Sequence, residues 1–143
     1  PIEDNFKEQC PACSNIMLIG ENQRFMGALI TLKVEIDMTT GLPSKDLMAE
    51  SKKWIKNETG LDLKTSDEAC VNQKVFESIQ KAVIKTNDLS VSKAAHIKKF
   101  KLIATDFSQP GGELTPTMKL KRKVTEQKYQ KEVNEIYQVE AKL

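Results

Sequence analysis

Apolar and polar residues alternate with a period of two in parts of the chain, and this pattern predicts β-strands. The stretch 25–36 alternates most clearly towards its end. With the apolar run 16–19 and a polar turn at 20–23, it predicts a β-hairpin. A third strand is predicted at 98–104. There Phe100 and Leu102 are expected to point inward, and Lys99 and Lys101 outward.

Four segments carry apolar residues at helical spacing instead. The first, 3–10, is a short helix. The second begins after Ser44, whose hydroxyl is a suitable N-cap, and ends at Gly60. A longer helix has its apolar stripe within 75–86, and the last is predicted over 124–139.

The remaining segments are predicted to be connections. Residues 38–44 contain glycine and proline and predict a loop, and 61–72 are polar and irregular. Residues 90–97 predict one or two further helical turns, with small Ala94 and Ala95 for close packing. The order of elements predicts an α+β domain, in which helices cover a small, mostly antiparallel sheet made of the hairpin and the third strand.

Composition agrees with one globular domain, since 143 residues with 39% hydrophobic and 29% charged content can form a core. The charge, however, is unevenly distributed. Residues 1–92 carry 11 basic and 14 acidic side chains, whereas residues 93–131 carry 10 basic and 3 acidic ones. The second segment should attract anions, although a solvated lysine-rich surface would have the same composition.

Three cysteines, an odd number, favour a reducing compartment. Cys10 and Cys13 form a C-x-x-C pair that, with Cys70 and the single histidine His96, could be drawn as a zinc site. Structural zinc sites usually have two tight ligand pairs, and this chain has one. A redox pair lacks the βαβ pattern expected before it. We therefore expect ordinary thiols and no metal.

The segment 111–122 carries the most specific chemistry, reading Gly-Gly-Glu-Leu-Thr-Pro-Thr-Met-Lys-Leu-Lys-Arg. It predicts a positioned but mobile loop that presents Lys119 before a helix. The segment lacks Walker A spacing, a single histidine does not suggest a Ser-His-Asp set, and no paired carboxylates stand out for acid–base catalysis. The remaining candidate is Lys119 as a fixed cation, as phosphoryl and nucleotidyl transfer require.

This motif, followed by a helix with Lys128 and Tyr129, closely resembles the last core motif of the adenylate-forming enzymes. Within them it resembles the long-chain acyl-CoA synthetases, and most of all the bubblegum-type branch. Residues 13–20 and 25–34 resemble the hairpin of that family's C-terminal domain, and residues 1–4 resemble the segment after its interdomain hinge.

The resemblance implies that residues 1–143 are a single mobile C-terminal domain, excised from a longer polypeptide. The large N-terminal nucleotide- and acyl-binding domain would then be absent. The implied protein is a long-chain fatty acid–CoA ligase, which converts a fatty acid and ATP to acyl-AMP and then transfers the acyl group to coenzyme A.

Site roles follow from the same resemblance. Lys119 would be the catalytic lysine, reaching the bound carboxylate and the α-phosphate. Gly111 and Gly112 would let its loop swing. Lys121 and Arg122 are candidate auxiliary phosphate contacts, although an exposed solubilising role is the simpler interpretation.

The implied cofactors are ATP, with Mg²⁺ held mainly by the absent domain, and coenzyme A. The implied partners are the protein's own N-terminal domain and the fatty acid, with no nucleic acid. A cytoplasmic location is expected, and peripheral association with the endoplasmic reticulum membrane stays open because the substrates are lipids. Alone, the 143 residues are expected to catalyse nothing.

Two alternatives belong to other functional classes. A basic module for nucleic acid or anionic membrane is disfavoured because the basic loop lacks interleaved aromatic residues. A non-enzymatic docking domain would tolerate the loss of Lys119.

Overall fold

The computed structural model describes residues 2–21, 23–92 and 95–138. Within these ranges the helices are α1 (Ile2–Gln9), α2 (Ala49–Thr59), α3 (Ser66–Cys70), α4 (Gln73–Asp88), α5 (Arg122–Lys128) and α6 (Gln130–Tyr137). The strands there are β1 (Cys13–Ile19), β2 (Met26–Leu32), β3 (Val34–Ile36), β4 (Pro43–Leu47) and β5 (Ile97–Ile103). None of the helices described is long and apolar enough to cross a membrane.

The strands form two small sheets, one with the order β1-β2-β5 and the other made of β3 and β4. β1 and β2 are antiparallel, as are β3 and β4, whereas β5 runs parallel to β2. A parallel partner requires a long crossover, which here contains α2, α3 and α4. The predicted α+β class with a mostly antiparallel sheet is confirmed.

The central strand β2 is buried on both faces, because its neighbouring side chains enter different clusters. Ile30 belongs to the larger cluster, which α1, α2 and α4 cover with residues such as Phe6 and Ile79. Leu29 belongs to the second cluster, which includes Val133 and Ile136 of α6. This alternation follows from the period of two along a strand.

The predicted strand 25–36 is divided at Lys33, which is a correction to the sequence-based prediction. The Lys33 amide donates to the Ala12 carbonyl oxygen at 2.9 Å. Its carbonyl oxygen accepts from the Met48 amide at 3.1 Å and from the Ser51 hydroxyl at 2.9 Å. These long-range bonds end β2, and the chain leaves the first sheet to form β3 in the second.

The prediction that Ser44 caps α2 is wrong. Ser44 lies in β4, where its hydroxyl donates to the Glu35 carbonyl oxygen at 2.8 Å. The N-cap position of α2 is Met48, which makes no side-chain cap hydrogen bond. The predicted end of the helix at Gly60 is confirmed, since Gly60 has a left-handed φ of 78°.

The segment 61–72 is not wholly irregular, because it contains α3. A reciprocal capping box begins this helix: the Glu68 amide donates to the Thr65 hydroxyl at 3.2 Å, and the Thr65 amide donates to Glu68 Oε1 at 3.1 Å. The Thr-x-x-Glu spacing that permits this exchange is visible in the sequence.

The predicted final helix is divided into α5 and α6 at Tyr129. Helical hydrogen bonding continues across the junction, because the Tyr129 amide donates to the Thr125 carbonyl oxygen and its own carbonyl oxygen accepts from the Val133 amide, both at 3.0 Å. The break is therefore a local distortion with φ −109° and ψ 32°. Three predictions fall partly outside the described residues, because they involve Asn22, Ala94 and Val139.

Candidate functional site

Lys119 lies in a tight β-hairpin of residues 113–121, which we call the lysine hairpin. An antiparallel bridge between Leu114 and Leu120 joins its two arms. Nearer the tip, the Thr115 amide donates to the Lys119 carbonyl oxygen at 2.8 Å. Lys119 is thus the first residue after a three-residue tip.

The tip has the geometry of a type I turn followed by a left-handed residue, a common hairpin loop. The Met118 amide donates to the Thr115 carbonyl oxygen at 2.8 Å. Pro116 is the second residue of this turn, where the fixed φ of proline is favourable. Met118 has φ 68°, where glycine is usual, so the tip carries local backbone strain. The Thr115 hydroxyl also accepts from the Lys119 amide at 3.0 Å.

The side chain of Lys119 is exposed. Its ammonium makes no hydrogen bond or ion pair with any residue in 2–21, 23–92 or 95–138. The main chain of Lys119 is therefore fixed twice to Thr115, while its charge is available to an anion.

Glu113 forms the root of the lysine hairpin. Its side chain is only 1% exposed, and its Oε1 accepts from the Ser108 amide at 3.0 Å. The Glu113 carbonyl oxygen accepts from the Lys121 amide of the opposite arm at 2.8 Å. The residue therefore ties both arms to the segment that leads into the hairpin.

Lys128, in the last turn of α5, connects this root to the helix. Its ammonium donates to Glu113 Oε2 and, at 3.0 Å, to the Gly111 carbonyl oxygen. The Tyr129 hydroxyl lies 3.5 Å from the same Glu113 oxygen. Burial, and next the charge of Glu113, raise the pKa of Tyr129 to about 12.

Each glycine of the pair meets a different geometric requirement. A Cβ on Gly111 would lie 2.7 Å from Glu113 Oε1 and 2.7 Å from Ser108 Oγ, so only glycine fits without displacement. Gly112 has φ 93°, which side chains other than glycine rarely adopt. The swing of the loop at these residues stays a prediction.

The start of the loop is anchored to the sheet through Asp106, three residues after the end of β5. Its carboxylate accepts from the Thr31 hydroxyl at 2.6 Å, the Ser14 hydroxyl at 2.7 Å and the Asn15 amide group at 2.9 Å. The Phe107 amide donates to it at 2.8 Å. These bonds connect the loop to both strands of the β1–β2 hairpin.

Lys121 and Arg122, the candidate phosphate contacts, differ in their surroundings. Lys121 is exposed on the same arm as Lys119. The Arg122 guanidinium donates to the Leu18 carbonyl oxygen at 3.0 Å and pairs with Glu3 at 3.3 Å. A phosphate would have to share or replace these partners of Arg122, and the phosphate role of both residues stays a prediction.

A cleft of about 670 Å³ lies between the β1–β2 turn and α5, and sequence reasoning missed it. Its basic lining residues are Arg24, His96, Lys98, Arg122 and Lys123. The only sequence signal was the excess of basic residues in 93–131, since the turn that completes the cleft is distant in sequence. Glu21 and Glu126 also line the cleft, so its excess of basic side chains is partly offset.

The cysteines are placed as buried or partly buried thiols. The sulfur atoms of Cys10 and Cys13 lie 2.7 Å apart, both residues are buried, and burial is the main cause that raises the pKa of Cys13. Burial, followed by the charge of Asp67, raises the pKa of Cys70 to about 11. Raised pKa values disfavour reactive thiolates. Among the residues described, no group of three or more His, Cys, Asp or Glu could hold a metal ion.

The fold and the site together define an α+β domain that presents a lysine on a braced hairpin. The family model of the AMP-binding enzyme C-terminal domain matches residues 56–141, which include this hairpin and α5. The chain belongs to that family.

Relatives match nearly the whole chain and confirm the resemblance to bubblegum-type long-chain acyl-CoA synthetases. Long-chain-fatty-acid–CoA ligase ACSBG2 of Gallus gallus is 43% identical over 138 residues, covering 96% of this chain and 18% of its own length. ACSBG2 of Homo sapiens is 34% identical over 139 residues, with 96% and 21% covered. The ligase heimdall of Drosophila melanogaster is 31% identical over 157 residues, with 95% and 23% covered. The chain thus spans about a fifth of the length of these relatives, and no solved structure matches it significantly.

Proposed function

We propose that this chain is the lysine-bearing domain of a long-chain fatty acid–CoA ligase. In the first half-reaction a fatty acid and ATP form acyl-AMP and pyrophosphate. In the second, the acyl group passes to the thiol of coenzyme A. The names and coverage of the relatives support the substrate class, and the family match supports the use of ATP.

The observation that carries the proposal is the Lys119 ammonium at the tip of a braced hairpin, which has no partner among the residues that the structure describes. Forming acyl-AMP brings two anions together, the fatty acid carboxylate and the α-phosphate. A cation held between them offsets their repulsion and stabilises the charge that spreads over the phosphate oxygens in the transition state. Because the main chain of Lys119 is already fixed, little reorganisation is needed to place that charge.

Lys121 is the auxiliary phosphate contact in this proposal, because it is exposed on the arm that carries Lys119. The rest of the active site, including the acyl and nucleotide pockets, belongs to a larger N-terminal domain, against which this domain rotates between the half-reactions. The 143-residue chain alone would therefore not form acyl-CoA.

The decisive experiment measures the two half-reactions separately in the full-length ligase. Lys119→Ala should slow acyl-AMP formation roughly 100- to 1000-fold, the usual loss when one preorganised electrostatic group is removed. Thioester formation from supplied acyl-AMP should change little. In that step the thiol sulfur bonds to the acyl carbon, the acyl–phosphate bond breaks and AMP leaves, so a carboxylate and a phosphate no longer have to be brought together.

The control variant is Lys53→Ala, which removes an exposed lysine of α2 far along the chain from the hairpin. It should leave both half-reactions unchanged. Normal acyl-AMP formation by Lys119→Ala would refute the proposal, and an equal loss in both half-reactions would refute the assignment of Lys119 to the first.

A further inference from the structure

We propose that Glu113, paired with Lys128, is a positioning residue that sets the direction in which the lysine hairpin presents Lys119. The inference rests on the proposed function of Lys119 and adds a second determinant of the same step. Neither Glu113 nor Lys128 would touch the substrate in this role. They would act through the hairpin.

The first support is the number of partners that converge on Glu113. Its two carboxylate oxygens are divided between the Ser108 amide and the Lys128 ammonium, with the Tyr129 hydroxyl at 3.5 Å from the second oxygen. The carboxylate thus joins the segment before the hairpin to α5 after it.

The second support is the short main-chain path from Glu113 to Lys119. Along the hairpin the facing pairs are Glu113 with Lys121, Leu114 with Leu120, and Thr115 with Lys119. Two steps of roughly 3.3 Å each separate the root pair from the tip pair. Because the two arms are paired at each step, a rotation at the root would also rotate the Lys119 main chain.

The third support is the double attachment of Lys128. Its ammonium donates to both Glu113 Oε2 and the Gly111 carbonyl oxygen, two points on the incoming side of the hairpin. Because Lys128 belongs to α5, these bonds fix the hairpin relative to the helix. The space for this arrangement exists only because Gly111 has no Cβ, which would lie 2.7 Å from Glu113 Oε1.

Burial of the Glu113 carboxylate, 1% exposed beside a Lys128 side chain that is 43% exposed, indicates a role other than stability. Removing a carboxylate from water is unfavourable, and pairing it with a partly exposed lysine contributes little net stability. What the Glu113 carboxylate does provide is a defined geometry, because a buried charge whose two oxygens both have hydrogen-bond donors tolerates few alternative arrangements. Here that geometry is the orientation of the hairpin that carries Lys119.

Glu113→Gln is the primary test variant, since it keeps the size of the side chain and an oxygen that can accept from Ser108. It removes the charge that holds the Lys128 ammonium. In the full-length ligase we expect acyl-AMP formation to slow roughly 10- to 100-fold, as expected for a displaced reacting group. The KM values for fatty acid and ATP, and thioester formation from supplied acyl-AMP, should change by less than about twofold if the other domain binds the substrates.

The readout specific for positioning is a double-mutant cycle with Lys119→Ala. If Glu113 acts through Lys119, Glu113→Gln should have less than about a twofold effect on the residual acyl-AMP formation of the Lys119→Ala enzyme. Similar losses with and without Lys119 would overturn the inference, because a merely structural role would lower both rates. An unchanged rate in the presence of Lys119 would overturn it as well.

Glu113→Gln/Lys128→Met provides a second route if the single variant folds poorly. It removes both charges together, leaves no unpaired buried charge and keeps an unbranched side chain in place of Lys128. The same cycle with Lys119→Ala applies. The failure of the proposed function is separately visible, because it appears as a normal rate for Lys119→Ala alone.

Discussion

Gly111→Ala distinguishes two explanations of the glycine before the lysine hairpin. The added Cβ would lie 2.7 Å from Glu113 Oε1 and from Ser108 Oγ, and both contacts must lengthen to about 3.4 Å. Neither oxygen moves freely. Glu113 Oε1 accepts from the Ser108 amide at 3.0 Å, and Ser108 Oγ accepts from the Gly111 amide at 2.9 Å.

The expected change in the free energy of unfolding follows from these contacts. Overpacking a filled site costs about 1–3 kcal/mol. Weakening a hydrogen bond to a buried carboxylate adds up to about 1.5–3 kcal/mol. Alanine also restricts the unfolded chain, and this offsets about 0.4–1 kcal/mol of the destabilisation. Because the site relaxes in part, we expect Gly111→Ala to lower the free energy of unfolding by about 2 kcal/mol.

If Gly111 served only for loop flexibility, the same substitution would have the opposite sign. Gly111 does not have a positive φ, so alanine would fit its backbone and stabilise the fold by about 0.4–1 kcal/mol. The sign of the change, rather than its size, therefore decides between the two explanations.

Urea unfolding of the 143-residue chain, followed through the fluorescence of the single tryptophan Trp54, measures this change. Gly20→Ala is the matched control, because its Cβ would meet no atom closer than 3.9 Å and Gly20 has no positive φ. The control should raise the free energy of unfolding by about 0.4–1 kcal/mol, through the more restricted unfolded chain alone. Unfolding of Gly111→Ala at an equal or higher urea concentration, with an unchanged m value, would refute the steric argument.

Two further predictions concern the tip of the hairpin and its root. Met118→Gly should raise the free energy of unfolding by about 0.5 kcal/mol. The substitution removes the steric strain of a non-glycine residue in the left-handed region, about 1–2 kcal/mol. This gain exceeds the cost of the greater conformational entropy of the unfolded chain, about 0.5–1 kcal/mol. Thr117→Gly, which relieves no positive φ, should lower the free energy of unfolding, and urea midpoints that rank the two variants the other way would contradict this account. Because the pKa of Tyr129 is raised from 10.0 to about 12, the neutral phenol is favoured by folding, and its stabilisation is present below pH 10 and is lost as the pH rises from 10 to about 12. In Tyr137→Phe, where Tyr129 is the one tyrosine left, tyrosinate absorbance should follow this late transition, and a midpoint near pH 10 in that variant would show that the assignment is wrong.

Elements with strong local patterns were predictable from the sequence. The stripe of α4 is regular, and Val75, Ile79 and Val83 are buried as its helical spacing requires. The Gly60 stop was also predictable, because a left-handed C-cap depends on one residue. In contrast, the division of β2 from β3 depends on bonds from Lys33 to residues 12, 48 and 51, which no local pattern records.

The candidate site was predictable only at its tip. Lys119 and Glu113 both belong to the contiguous motif 111–122, but no local pattern shows that the Glu113 carboxylate turns inward to pair with Lys128. The one available signal for Glu113 was an acidic residue within the basic segment 93–131, which has only three. That such an acid is buried against Lys128 follows from the fold and not from the composition.

The parallel pairing of β5 with β2 also determines when the lysine hairpin can be held in place on the sheet. Its partners, such as Ala28 and Phe100, are about 70 residues apart, so closing this contact is slow compared with forming the local β1–β2 hairpin. Asp106, which leads into the lysine hairpin, finds its hydrogen-bond donors on β1 and β2 only after β5 has docked. A chain that is still being synthesised, or one that has misfolded at the crossover, therefore lacks a placed Lys119. Lys119 therefore takes its place on the domain only after β5 has docked on β2.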